Sequence, residues 1–170
     1  MLKRLDPCGI IRVQSWDIHK APPAKVEESL GLLWPRETGT VACGSVDILY
    51  IGPTDWLVLA SEPGAMMLVQ TLKDAFVGSD YRATDVSAAL SRIEVKGVHA
   101  RALLAKGCSL DLRPQSFALH RCARTRLAGM PVVVCCTESS TFECIVSLSY
   151  GEYLLAWLSD ATEEFTTRAS

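Results

Sequence analysis

"WLVLASEPGAMMLVQTLKDA" (56–75) lies over "FECIVSLSYGEYLLAWLSDA" (142–161) at a constant offset of 86 residues, and this match decides the fold. Trp56 meets Phe142, Ser61 meets Ser147, Leu68 meets Leu154, Leu72 meets Leu158, and Asp74-Ala75 meets Asp160-Ala161. Each copy opens on an apolar run suited to a strand. It continues into a segment whose apolar positions recur every three or four residues, as on one face of a helix. In the first copy that stripe is Met67, Leu68, Leu72 and Phe76. Self-similarity at a fixed offset predicts two related halves.

The flanking segments repeat the plan. "IIRVQSW" (10–16) reads as a strand, and "PPAKVEESLGLL" (22–33) as a helix with Pro23 at its start and Val26, Leu30 and Leu33 on one face. "TVACGSVDILYIG" (40–52) and "DWLVLAS" (55–61) are strands joined at "GPTD" (52–55), where Pro pre-sets φ and Asp caps the turn. In the second half "LSRIEV" (90–95) alternates apolar and charged residues, as a half-buried strand does. "VHARALLAKG" (98–107) is a helix closed by Gly107, with Lys106 in the last turn, where a cation suits the helix dipole. "CARTRLAG", "PVVVCCT" and "FECIVSLS" are strands, and "YGEYLLAWLSDATEEF" (150–165) is the closing helix. The expected fold is α+β: two similar strand-helix-strand-strand-helix halves, mostly antiparallel sheets covered by helices. No linker rich in Gly, Ser or Pro divides them, so a single domain over 1–170 is expected, with internal halves about 8–82 and 83–165.

The 170 residues are 49% hydrophobic and 21% charged, a composition that suits a folded chain rather than a disordered one. A formal net charge of -2 supplies no distributed basic footprint for nucleic acid or an anionic membrane. The one basic cluster, "RCARTR" (121–126), alternates its arginines and reads as the wet face of a strand. "MLKRLDPCGIIRV" (1–13) lacks a long apolar region followed by a small-residue cleavage site, and no apolar run approaches a membrane span. A cytoplasmic location is expected.

Seven cysteines, at 8, 43, 108, 122, 135, 136 and 144, form no C-x-x-C pair. Cys135 and Cys136 are adjacent on a strand and so point to opposite faces, while Cys144 alternates with Val146 and Leu148 as a small core residue. Structural zinc uses ligand pairs at short spacings that are missing here. The three histidines, His19, His99 and His120, are scattered, and none has a neighbouring group that would set its tautomer. Asp85 and Asp111 stand at turn positions, where accepting backbone N–H bonds is the common use of a carboxylate. Cys108 follows Lys106 at a helix C-terminus, whose negative end raises a thiol pKa, the wrong direction for a nucleophile. Neither a nucleophile elbow, a zinc-protease helix nor a phosphate loop is present. The expectation is no catalytic, cofactor-binding or metal residue on this chain.

"DVSAALSRIEVKGVHARALLAKGCSLDL" (85–112) closely resembles the gamma subunit of heterotetrameric sarcosine oxidase, through its Asp-Val-Ser start, the helix entry "GVHA" and "KGCSLDL". "IGPTDWLVLA" (51–60), "RCARTRLAGMPVVV" (121–134) and "TFECIVSLSYGEYLLAWLSDA" (141–161) resemble further blocks of that family. More distantly, the chain is similar to the folate-binding domain of glycine-cleavage aminomethyltransferases, where the corresponding block begins Asp-Val-Ser-His; here that His is Ala88. The resemblance implies a folate-binding aminomethyltransferase-like fold and a non-catalytic assembly subunit. It implies alpha, beta and delta partner subunits, with FAD, FMN, NAD and tetrahydrofolate on the alpha and beta subunits and zinc on delta. The holoenzyme would demethylate sarcosine oxidatively to glycine and pass the one-carbon unit to tetrahydrofolate. A stand-alone folate or one-carbon-carrier module is the alternative, which a convergent polar pocket including Asp85 or Arg101 would favour. A free-standing protein using the Cys108 thiol is a third. For docking, Trp16, Trp34 and Trp56 are the expected anchors, because aromatics carry a disproportionate share of interface energy.

Overall fold

The computed structural model of the chain describes residues 2–17, 22–60 and 65–167. In chain order its elements are β1 (Leu2–Arg4), β2 (Gly9–Ser15), α1 (Ala24–Leu30), β3 (Val41–Cys43), β4 (Val46–Gly52), β5 (Asp55–Ala60), α2 (Ala65–Ala75) and β6 (Tyr81–Asp85). There follow β7 (Leu90–Lys96), α3 (Ala100–Ala105), β8 (Cys122–Leu127), β9 (Met130–Glu138), β10 (Thr141–Ser147) and α4 (Gly151–Thr167). The chain divides into two compact units, Pro7–Ala88 and Ala89–Ser170, the latter including Met1–Asp6.

Each unit carries one five-stranded sheet, and every pairing in both is antiparallel. The strand order is β3-β4-β5-β2-β6 in the first unit and β1-β7-β10-β9-β8 in the second. The two orders express one plan: a strand, a helix, three strands joined by hairpins, then a helix. The place beside the opening strand is taken by β6 in the first unit and by the N-terminal β1 in the second. The fold is therefore α+β with helix-covered antiparallel sheets in two similar halves, and each half holds more strands than the expected plan.

The 86-residue match reappears as geometry. Trp56, Val58 and Ala60 of β5 and their counterparts Phe142, Cys144 and Val146 of β10 all enter the core of their own unit. Leu68 and Leu72 of α2 and Leu154 and Leu158 of α4 are buried against them. Each such leucine contributes roughly 1.5–3 kcal/mol by leaving water. The opening strands supply alternate residues to the same layer, Ile11 and Val13 in one unit and Ile93 and Val95 in the other.

Local chemistry explains where the expected elements change. The first helix stops at Leu30 because Gly31 turns left-handed at φ 60°, its N–H capping the carbonyl of Glu27; Leu33 falls outside the helix and is exposed. The run 40–52 is a hairpin, β3 with β4, rather than one strand. Met67 is 80% exposed, so the buried stripe of α2 is Leu68, Leu72, Ala75 and Phe76 without it. Gly107 follows α3 but does not adopt the left-handed conformation; Gly97 and Gly129 do. Its constraint is steric, since a Cβ there would lie 2.5 Å from Trp157 Cη2 and 3.0 Å from the Ala128 nitrogen. Ser61, His19 and Lys20 lie outside the described residues.

Candidate functional site

The segment 84–112 holds Asp85, His99, Arg101, Lys106, Cys108 and Asp111, and the fold engages each of them. Asp85 ends β6 and accepts from the Ser87 N–H at 2.9 Å and the Ser87 hydroxyl at 2.5 Å. The same hydroxyl accepts from the Ile10 N–H at 2.8 Å, so the pair clasps the turn to the start of β2. These Ser87 bonds, the hydroxyl first and the N–H second, hold the Asp85 carboxyl below its ordinary pKa. Asp111 behaves alike: it accepts from the side chain and N–H of Arg113 and from the Ser116 hydroxyl, and Arg113 foremost lowers its pKa. Both carboxylates are turn locks.

Arg101, on α3, makes several long-range contacts within the second unit. Its Nη1 donates to the carbonyls of Leu112 and Phe117, and its Nη2 to the Ser139 carbonyl at 3.2 Å. Nη2 also lies 3.7 Å from the Cys136 sulfur, and the guanidinium sits 4.8 Å from the centre of the Phe142 ring. One cation thereby ties the loop after α3 and the β9–β10 hairpin to the helix. Three of its bonds go to backbone carbonyls of the fold itself.

His99, just before α3, is exposed and stacks on Phe165 with ring centres 4.9 Å apart. Lys106 donates to the Ala161 carbonyl, pairs with Glu164 at 2.6 Å and covers the same Phe165 ring. The two residues clamp the end of α4 to α3. His120 is exposed at φ 59°, with its N–H bonded to the Cys136 carbonyl.

Five of the seven cysteines pack as small apolar residues, while Cys8 is half-buried and Cys43, on β3, is exposed. Cys108, Cys122, Cys135, Cys136 and Cys144 are all buried, and Cys108 lies 3.6 Å from the Thr125 hydroxyl. Burial pushes the Cys144 thiol far up, and it raises Cys136 against the opposing pull of Arg101. Thiols raised in this way are poor nucleophiles. Among the described residues no group of three or more His, Cys, Asp or Glu stands close enough together to hold a metal ion.

The tryptophans divide. Trp34 and Trp56 are buried, with ring centres 5.8 Å apart, in an aromatic cluster completed by Tyr50, Phe76 and Tyr81. They are core residues of the first unit and not docking anchors; residue type alone does not say which face of an element a side chain takes. Trp16 is 72% exposed, with the Arg82 guanidinium 5.6 Å from its ring centre. Nearby residues that the sequence reading passed over, Lys73, Tyr81 and Arg82 among them, line a cleft of about 420 Å³ beside β6. The alternation in "YRATD" (81–85) was the available signal for that strand. No helix is long and apolar enough to cross a membrane among the described residues.

Comparison with known proteins agrees with this arrangement. The model of the sarcosine oxidase, gamma subunit family matches residues 16–164. The sarcosine oxidase subunit gamma of Corynebacterium sp. (strain U-96) is 32% identical over 146 residues, covering 84% of this chain and 70% of the relative. In the solved structure of heterotetrameric sarcosine oxidase from Corynebacterium sp. U-96 with pyrrole 2-carboxylate, one chain superposes with a TM-score of 0.88 at 28% identity, over 97% of this chain and 84% of that one. Glycine cleavage system aminomethyltransferase T from Bartonella henselae shares the fold alone, at a TM-score of 0.66 and 13% identity over 92% of this chain and 44% of that one. The chain belongs to the sarcosine oxidase gamma subunit family.

Proposed function

We propose that the chain is a non-catalytic assembly subunit of a heterotetrameric, flavin-dependent sarcosine oxidase, acting as one gamma-subunit-like domain over 1–170. The complex, in the cytoplasm, removes the methyl group of sarcosine oxidatively to give glycine and passes the one-carbon unit to tetrahydrofolate. Its other members are the alpha, beta and delta subunits. FAD, FMN, NAD and tetrahydrofolate are held by the large subunits, and this chain holds them in register by contact. One observation supports this reading above the others: Arg101, Asp85 and Asp111 are engaged in locking loops and turns of a chain from this family. A catalytic group must reach a reacting atom, and the hydrogen bonds of these three side chains go to groups of the chain's own fold.

Co-expression with the candidate flavoprotein subunits, followed by size-exclusion chromatography read at flavin wavelengths, tests the proposal. Co-elution of this chain with a yellow complex is the expected result. A colourless chain that elutes alone in the presence of those subunits would overturn it. Titration of the isolated chain with tetrahydrofolate is expected to give no binding signal; saturable binding would favour a stand-alone one-carbon carrier module.

A further inference from the structure

The surface best equipped to receive a partner lies on the first unit, along the C-terminal end of α2 and the edge strand β6. A cleft of about 420 Å³ runs there, lined by Lys73, Phe76, Val77, Tyr81, Arg82 and Ala83 among others. Three independent features of this cleft point to the same kind of occupant.

The first is charge. Lys73 and Arg82 both line the cleft, neither forms an ion pair among the described residues, and no carboxylate is part of the lining. The lining itself thus carries two cations, while the exposed carboxylates of Asp74 and Asp80 adjoin it along the chain. Arg82 is also held in place, since its Nη1 donates to the carbonyls of Ser79 and Tyr81. A fixed cation loses little freedom on meeting a carboxylate.

The second feature is exposed apolar surface around those cations. Val77 is 80% exposed, and Trp16, 72% exposed, stands over Arg82. Trp and Arg are among the residue types enriched where protein surfaces are covered by partners.

The third is the backbone of β6. Among the described residues it pairs with β2 alone, in a register that sets Ala83 opposite Val13. Hydrogen bonds from Trp16 N–H to the Asp80 carbonyl and from Val86 N–H to the Ile10 carbonyl fix the alternation. By that alternation Thr84 and Arg82 face β2, while the N–H and C=O of Ala83 face away, towards the open edge. An edge of this kind accepts an added strand, with main-chain bonds giving affinity and pockets beside them giving selectivity.

Resting on the proposed docking role, we infer that the β6 edge and its cleft receive an extended, carboxylate-bearing segment of a partner subunit, which adds a strand beside Ala83 and sets its acidic side chain between Lys73 and Arg82. The outward N–H and C=O of Tyr81 are already bonded to Ser79 Oγ and Arg82, so the added strand would run about three residues, at roughly 3.3 Å each, from Ala83 to Asp85.

The test uses the co-expressed complex and four forms of this chain: wild type, Lys73→Glu with Arg82→Glu, Ala83→Pro, and Arg126→Glu as a control charge reversal at an exposed position of β8. Proline at 83 deletes the outward N–H and leaves the β2 ladder its donors. Each variant is first checked by circular dichroism and thermal melting. The double reversal and Ala83→Pro are each expected to weaken association at least tenfold, the former most at low salt, while Arg126→Glu binds as wild type does. A loss in either cleft variant no greater than that in Arg126→Glu overturns the inference and leaves the assembly role standing. Failure of the wild-type chain to associate at all removes the assembly role, and this inference with it. A dimer of the isolated chain that the double reversal dissolves would assign the cleft to a second copy, which also overturns the inference.

Discussion

The indole of Trp157 on α4 lies against Gly107 so closely that a methyl group on that glycine would sit 2.5 Å from Cη2 and 2.9 Å from Cζ2. Real Cβ atoms do not approach so near, and the Ala128 backbone nitrogen, 3.0 Å away on another side, bars escape in that direction. Gly107→Ala must therefore push the indole, and the α4 surface that carries it, off the loop. Overpacking of this kind costs about 1–3 kcal/mol. Urea unfolding should show that loss with an unchanged m-value. A neutral substitution would mean that Trp157 has room to swing aside.

Arg92 and Glu143 form a bidentate pair across β7 and β10, with Nε–Oε1 at 2.5 Å and Nη2–Oε2 at 2.9 Å. Their side chains are only 19% and 10% exposed. Removing one partner strands a charge in a poorly solvated place, so Glu143→Gln or Arg92→Met alone should cost about 3 kcal/mol. Replacing both with methionine should recover much of that loss, because two apolar chains need no solvation. A double-mutant cycle by chemical denaturation separates these outcomes; a double variant as unstable as the sum of the single ones would contradict them.

Asp85 supplies a pH dependence whose sign follows from its depressed pKa in the fold. A carboxylate that is more acidic folded than unfolded stabilises the native state above its unfolded pKa of about 3.9, and the contribution disappears as pH falls through the folded value. Asp85→Asn should destabilise the chain by about 1 kcal/mol at neutral pH, the charged hydrogen bond being discounted for solvent screening at this exposed turn. The gap from wild type should begin to close as pH falls below the unfolded value of about 3.9, and disappear beneath the lower folded value. Thermal melts across pH 2–7 would reveal it; a gap of constant size would show that the side chain acts by shape alone.

Trp56 and Trp16 should respond in opposite ways to truncation. Trp56 is buried in the aromatic cluster of the first unit, and Trp56→Ala should cost about 3–5 kcal/mol. Trp16→Ala removes an exposed ring and one contact with Arg82, and should change stability by no more than about 0.5–1 kcal/mol. Parallel denaturant titrations compare the two; similar losses would mean that Trp16 is covered in the folded chain.

Much of this architecture was legible in the chain because period and punctuation carried it. The 86-residue match rests on Leu68 and Leu72 against Leu154 and Leu158, which face the cores for the same reason that they repeat: helical spacing under a sheet. Three kinds of feature escaped. β1 has three residues, too few to show any alternation. The α1 stop depends on a left-handed φ at Gly31, which a run ending "SLGLL" does not announce. Met67, Trp34 and Trp56 were assigned by hydrophobicity, whereas the orientation of α2 and the packing of the loop after α1 decide which of them meet water. The turn roles of Asp85 and Asp111 were readable because they act on residues two positions away; the reach of Arg101 to Leu112, Phe117 and Ser139 was not, since it needs the fold to bring those carbonyls together.

The first strand of the chain belongs to its last sheet. Leu2 pairs with Val95 and Arg4 with Ile93, and Arg4 is further bound by Glu152. During synthesis these residues leave the ribosome well before β7, and cannot find their partner until some ninety residues have followed. The first unit needs no such return, since β6 comes from its own continuous stretch. Folding order is thereby asymmetric between two otherwise similar halves: the first can close while the chain is still growing, and the second has to recapture β1 across the whole of the first as a long-range step.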